Sequence, residues 1–220
     1  MSSDFNGADD YFANEGKSEW SDIEAVVSSL MPQFQPHGQA GLEGAANFDP
    51  KATNHHLTIA ARELGWHKVP VPGELTEFGL DWDAGKGGTL AEWQFSNYPF
   101  LWNNIIRTEG VYRSGTPLLG VPRVRALLVV TKSGSLPASN STLYYEQAHK
   151  QVSAAVGFNA FTVPIRLVGL TVDLDCATLK VDWNEYPARY GREARETTRR
   201  TMNVRWGRAR KHGQRPITLS

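Results

Sequence analysis

Two short apolar runs do most to limit what this chain can fold into. Val124 to Thr131 (VRALLVVT) and Val163 to Leu170 (VPIRLVGL) are rich in β-branched residues and too short for stable helices. They read as buried strands. Between them, Thr142 to Val156 places Leu143, Ala148, Val152 and Val156 on one side, as a helix would. A further strand is expected at Thr89 to Phe95. The pattern is α/β: a mixed central sheet flanked by helices that cover both faces. With 220 residues, of which 40% are hydrophobic, the chain can bury a sizeable core, and one domain over residues 1–220 is expected.

The remaining elements follow from local signals. Residues 1–17 are polar and Gly/Asn/Asp-rich, the composition of a mobile end. Ser21-Asp22-Ile23-Glu24 has a capping-box form, with Ile23, Val26, Val27 and Leu30 at helical spacing behind it. Gln35 to Ala46 is a glycine-rich connector. Asp49-Pro50 reads as an N-cap followed by proline at the first helical position. Trp66 to Pro72 is a proline-stiffened extended segment. A helix begins at Asn97-Tyr98-Pro99, with Phe100, Leu101, Ile105 and Ile106 expected on its buried side. Leu174 to Glu185 is expected as an edge strand.

Net charge is near zero, but its distribution is uneven. Acids dominate the start, whereas Arg189, Arg192, Arg195, Arg199, Arg200, Arg205, Arg208, Arg210, Lys211 and Arg215 face only Glu193 and Glu196 in their span. Such asymmetry points to a polyanion partner, with residues 199–220 as a basic C-terminal segment that either binds phosphate or is solvated. The single cysteine, Cys176, excludes an internal disulfide and a cysteine zinc cluster, which fits a reducing compartment. No apolar run follows a basic start, and none approaches the roughly 20 residues of a membrane span, so the expectation is a cytoplasmic protein without a membrane partner.

Chemistry concentrates in Phe78 to Asn97 (FGLDWDAGKGGTLAEWQFSN). Gly85-Lys86-Gly87-Gly88 is expected to turn the chain between two strands. With that turn, Leu90 stands opposite Asp83 and Glu92 opposite Asp81, and Asp81, Asp83 and Glu92 crowd one face. Clustered carboxylates repel unless a cation or proton intervenes, and hard oxygen ligands suit Mg²⁺. A solvated acidic hairpin explains the same alternation. Asp83 and Glu92-Trp93-Gln94 form an Asp…Glu-x-Gln pattern. Two acids on neighbouring strands can hold a divalent cation against a phosphate, and the third side chain can orient a water, which is the logic of metal-dependent phosphodiester hydrolysis. Gln94 hydrogen-bonds but carries no charge, so more of the electrostatic work falls to the metal.

Gln94-Phe95-Ser96-Asn97-Tyr98-Pro99-Phe100 extends this pattern into something more specific. Together with Pro137-Ala138-Ser139-Asn140-Ser141, Leu143 to Ala148, Val163 to Leu170, Phe48-Asp49-Pro50 and Arg189-Tyr190-Gly191-Arg192, it resembles the BglII/BstYI family of type II restriction endonucleases, within the PD-(D/E)xK nuclease superfamily. The resemblance spans about residues 45–195. It implies a restriction-endonuclease-like core, a homodimer around palindromic double-stranded DNA, and Mg²⁺-dependent cleavage at a GATC-centred site (AGATCT or RGATCY) leaving 5′ overhangs in a prokaryotic cytoplasm. By the same resemblance, Asp83, Glu92 and the backbone carbonyl of Trp93 hold metal. Gln94 is the glutamine this subfamily carries in place of the usual lysine, and Asp81 becomes a neighbour. Lys68 stands where a BglII-type enzyme has an asparagine, and is a candidate for active-site support. Asn97, Asn140 and Ser141 match residues that reach base edges, although each also fits a helix-capping role. Arg189, Tyr190 and Arg192 match the segment that closes over the minor groove. Lys132 and Lys150 are further candidates for phosphate contacts. A DNA-binding protein with an inactive nuclease site, and a structure-specific repair nuclease, are the alternative readings.

Overall fold

The two apolar runs form the centre of a six-stranded sheet. The structure is a computed structural model that describes residues 1–139, 142–173, 175–187, 194–209 and 215–220. In chain order the elements are β1 (Ser2–Phe5), α1 (Ala8–Ala13), α2 (Lys17–Ser29), β2 (Gln33–Pro36), β3 (Ala46–Phe48), α3 (Pro50–Glu63), β4 (His67–Pro70), a 3-10 turn (Gly73–Phe78), β5 (Asp81–Lys86), β6 (Thr89–Trp93), α4 (Pro99–Ser114), β7 (Ala126–Lys132), α5 (Tyr145–Gly157), β8 (Ile165–Leu170), β9 (Thr178–Glu185), β10 (Glu196–Trp206) and β11 (Ile217–Leu219). The larger sheet runs β1-β8-β7-β6-β5-β4. Its three central strands, β6, β7 and β8, are parallel, and the outer pairings are antiparallel. Parallel neighbours need long crossovers, which α4 and α5 supply.

Every residue of β7 and β8 is buried. Alternation along the strands divides their side chains between two layers. Leu90, Leu127, Val129, Ile165 and Leu167 pack with Leu101, Ile105 and Val152 from α4 and α5. Ala91, Trp93, Leu128, Val130 and Val168 face Phe12, Ile23 and Leu57 from α1, α2 and α3. The second layer continues into a smaller sheet, β11-β10-β9-β2-β3, through Phe34, Phe48, Val181 and Trp183.

Several local expectations are met. Asp49 caps α3, its Oδ1 accepting from the amides of Lys51 (3.0 Å) and Ala52 (3.2 Å) ahead of Pro50. Trp66 to Pro72 supplies the extended β4. Others are corrected. Residues 1–17 carry a paired strand and a helix that buries Ala8, Tyr11 and Phe12, so the start is built into the sheet. Helix α2 begins at Lys17, and the Ser21–Glu24 motif lies inside it. Strand β9 is not at an edge but lies between β10 and β2, and the described residues of the basic C-terminal stretch include β10 and β11. Phe100 and Ile106 are about half exposed, while Leu101 and Ile105 are buried. Lys132, at the end of β7, is buried rather than presented to solvent, and desolvation pushes its ammonium down to about 8.

Candidate active site

The β5–β6 hairpin closes more tightly than its sequence implies. Lys86 pairs with Thr89, so only Gly87 and Gly88 form the turn. Gly87 has φ +57, and a Cβ there would lie 2.0 Å from Glu19 Oε1; one on Gly88 would lie 2.8 Å from the Tyr11 hydroxyl. Lys86 is drawn into the strand by distant partners: its Nζ donates to Asp22 Oδ2 (2.7 Å) and to the Leu64 carbonyl (2.8 Å). The register therefore slides by two residues from the expected one. Gly85 faces Leu90 and Ala84 faces Ala91, and continuing that ladder sets Asp83, not Asp81, across from Glu92. A slip of two preserves the face, so the two carboxylates still point the same way.

Asp81 leaves the cluster. It pairs across β4 with Pro70, and its carboxylate takes Lys68 Nζ at 2.6 Å on a partly solvated surface. Lys68 thus spends its charge on Asp81 and reaches Asp83 only through space. Asp83 is fixed by the Trp93 amide, which donates to its Oδ2 at 2.8 Å. The Trp93 carbonyl accepts the Phe95 amide at 3.2 Å, and carbonyl oxygen has a second lone pair to offer. Glu92 is buried and ion-paired with the Arg107 guanidinium.

Burial raises the Asp83 carboxyl above its ordinary range, partly opposed by the Trp93 amide and by Glu92. Glu92 is pushed up further, first by burial and then by the charge of Asp83, against the pull of Arg107. Two acids sharing a dry site with one guanidinium call for a proton or another cation. Among the described residues no group of three or more His, Cys, Asp or Glu is placed to hold a metal. Asp83, Glu92 and the Trp93 carbonyl would offer a cation two carboxylates and a carbonyl, a hard oxygen set of the kind that suits Mg²⁺ together with water and phosphate oxygens.

Gln94 is held at both ends. Its Oε1 accepts from Asn104 Nδ2 (2.9 Å), and its Nε2 donates to Ser96 Oγ (2.8 Å) and the Asn97 carbonyl (3.4 Å). Asn97 is exposed, and the chain there bridges to Thr142. Its side chain does not cap α4, which has no side-chain cap bond. Asn140, Ser141, Arg189, Tyr190 and Arg192 lie outside the described residues.

Helix α4 provides what the sequence reading missed. Asn104 grips Gln94, Arg107 grips Glu92, and the Thr108 hydroxyl accepts from Trp82 Nε1 at 2.9 Å, beside Asp83. Leu101, Asn104, Ile105, Thr108 and Val111 follow helical spacing and are all buried. Polar residues interrupting that apolar stripe were the available signal. The groups converge on a cleft of about 470 Å³, whose wall also includes Asn54 of α3 and the 3-10 turn at Phe78.

A family model described as restriction endonuclease BglII/BglIII matches residues 2–170. The type II restriction enzyme BglII of Bacillus subtilis is 37% identical over 173 residues, covering 78% of this chain and 76% of that one. The crystal structure of restriction endonuclease BglII complexed with a DNA 16-mer aligns with a TM-score of 0.90 at 32% identity, over 100% of this chain and 99% of that chain. Free BglII aligns with a TM-score of 0.72 at 28% identity, over 100% and 98%.

Proposed function

This chain belongs to the BglII/BglIII family of restriction endonucleases, and we propose that it is a Mg²⁺-dependent enzyme cutting double-stranded DNA at a GATC-centred palindrome, AGATCT or RGATCY, to leave 5′ overhangs. The observation that carries this reading is the pairing of buried Glu92 with half-buried Asp83, set on the hairpin inside the matched region and open to the cleft. Asp83, Glu92 and the Trp93 carbonyl would hold the cation. When bound, the cation supplies Lewis acidity toward the scissile phosphate and a water acidic enough to attack at neutral pH.

The chain's own residues prepare that chemistry. The Trp93 amide fixes the Asp83 carboxylate in one orientation. Asn104 and Ser96 hold the Gln94 amide at the cleft wall, where it orients a water without adding charge. Asn97 stands exposed at the mouth of α4, consistent with contact to a base edge. Asn140, Ser141, Arg189, Tyr190 and Arg192 are assigned to DNA by the family resemblance. Lys68 receives no direct role, because Asp81 holds it. Three of the C-terminal arginines are partly neutralised, Arg199 by Asp182, Arg200 by Glu185 and Arg215 by Asp175, so these three present paired rather than free charge.

A palindrome calls for a two-fold symmetric enzyme, and we propose a homodimer, each subunit of residues 1–220 forming one endonuclease domain. Tyr98, the residue that precedes α4, and Ile106 are 47% and 46% exposed, and with the half-buried Trp102 they form a stripe at helical spacing that supports such pairing. Among the described residues no helix is long and apolar enough to cross a membrane. A prokaryotic cytoplasm is the proposed setting.

Digestion of a mixed-sequence plasmid in Mg²⁺, with the cut ends mapped, tests the proposal. Discrete fragments with GATC overhangs are expected. A retarded band without cutting would indicate a DNA-binding protein with a dead site, and branch-dependent or unselective cutting a structure-specific nuclease.

A further inference from the structure

Arg107 is a deeply buried cation in the cleft wall, and it lies outside the Asp…Glu-x-Gln pattern. Only 4% of its side chain is exposed. Its Nη2 pairs with Glu92, and its guanidinium lies 5.2 Å from the centre of the Trp82 ring. The rest of its donors are poorly used. Nη1 makes a long bond to the Phe78 carbonyl at 3.4 Å, and Nε is buried with no hydrogen-bond partner. Room for the group is made by Gly79, where a Cβ would lie 2.0 Å from Nη1 and where φ is +132. A backbone shaped to admit a guanidinium, beside carboxylates that would bind a metal, points to more than packing. Guanidinium stays charged at any working pH, so this positive charge is permanent.

We propose that Arg107 is the resident counter-ion of the metal seat: it occupies Glu92 until a divalent cation takes its place, and it then remains in the cleft as the positive charge that Gln94 does not supply. This rests on the assignment of Asp83 and Glu92 as the metal-holding pair. Two cations cannot share the same carboxylate oxygen at full strength, so metal binds the fraction of molecules in which Arg107 has let go. Apparent metal affinity is reduced by that fraction. Released from Glu92, the guanidinium has donors free for a phosphate oxygen, which it fits in shape and charge. Arg107 thus sets how tightly the empty enzyme holds metal and, once released, faces the substrate phosphate.

Mn²⁺ titration of the DNA-free protein, read by the electron paramagnetic resonance of unbound Mn²⁺, tests this without relying on cleavage. Arg107→Gln is expected to bind Mn²⁺ about tenfold more tightly than the unaltered protein. Arg107→Lys, which keeps a charge on a shorter reach, is expected to fall between the two. In saturating Mg²⁺, single-turnover cleavage by Arg107→Gln should drop about a hundredfold. Mn²⁺ affinity equal to or weaker than that of the unaltered protein in Arg107→Gln would overturn the proposal. If that variant does not fold, an unchanged affinity in Arg107→Lys would do the same. Undiminished cleavage by Arg107→Gln would remove the charge-supplying half of the claim. Glu92→Gln separates the two levels of inference. If it binds Mn²⁺ as well as the unaltered protein does, the metal-site assignment itself is wrong. If it loses Mn²⁺ while both Arg107 variants behave like the unaltered protein, only the role of Arg107 is wrong.

Discussion

Asp81 and Asp83 stand two residues apart on one strand and one face, yet they live in different electrostatic worlds. Asp81 and its partner Lys68 have side chains 32% and 57% exposed, and water screens what passes between them. Asp83 meets Glu92 in a dry cleft, where the Glu92–Arg107 pair is only 7% and 4% exposed. A surface acid finds a counter-ion cheaply and keeps it. A poorly solvated acid beside another acid has an unmet demand for positive charge, the environment in which perturbed carboxyls mark a candidate functional site. Sequence spacing treats the two aspartates alike, and their neighbours tell them apart: Lys68 beside Asp81, Glu92 and the Trp93 amide beside Asp83.

The comparison can be broken most forcefully at Glu92. Glu92→Ala is expected to lower cleavage in Mg²⁺ by about 10⁴-fold or more while a gel-shift assay still shows sequence-specific binding. Full cleavage by this variant would refute the site. Next in size is Gly79→Val. A β-branched side chain at φ +132, with its Cβ forced onto Arg107, should cost about 3 kcal/mol in a urea titration.

Asp83→Asn tests the repulsion directly. An amide can still accept from the Trp93 amide but removes one of the two opposed charges. The metal-free variant is expected to be on the order of 1 kcal/mol more stable at neutral pH while losing activity. The pH dependence carries the sign. Because the folded-state carboxyls of Asp83 and Glu92 are raised above their ordinary values of 3.8 and 4.5, the native state holds protons more tightly than the unfolded chain. Stability of the metal-free protein therefore falls as pH climbs from that range through the raised values. Thermal melts of Asp83→Asn and the unaltered protein should converge at low pH and diverge toward neutrality. The smallest effect belongs to the surface pair. Lys68→Ala and Asp81→Asn should each shift stability by less than about 0.5 kcal/mol and cleavage by no more than about threefold. A large loss of activity in Lys68→Ala would restore it to the active site.

Part of the candidate site was legible in the sequence. The family resemblance singled out Asp83, Glu92 and Gln94, and the three belong to one cleft. The pairing of Asp83 with Glu92 could not be read from hairpin geometry, because the turn length depends on Lys86 reaching Asp22 and Leu64 from other elements. Arg107, Asn104 and Thr108 were hidden for a related reason. Each looks like an ordinary polar residue on a helix, and only the packing of α4 against β5 and β6 shows that all three serve the hairpin. The first strand was missed because Ser2–Phe5 has no apolar pattern of its own; it pairs with β8 through backbone hydrogen bonds, to which the side chains are nearly indifferent.

What the sequence determined by itself was the buried centre of the main sheet, and its family resemblance named the candidate acids. Continuous β-branched runs are stable only when both faces are covered, so β7 and β8 had little choice of environment. The tertiary structure decided the rest: the hairpin register that sets Asp83 across from Glu92, where the compensating charge sits, and how the described parts of the basic C-terminal stretch supply strands β10 and β11 of a second sheet. Those outcomes depend on groups far apart in sequence competing for the same hydrogen bonds and the same dry space, and that competition is settled only when the elements pack together.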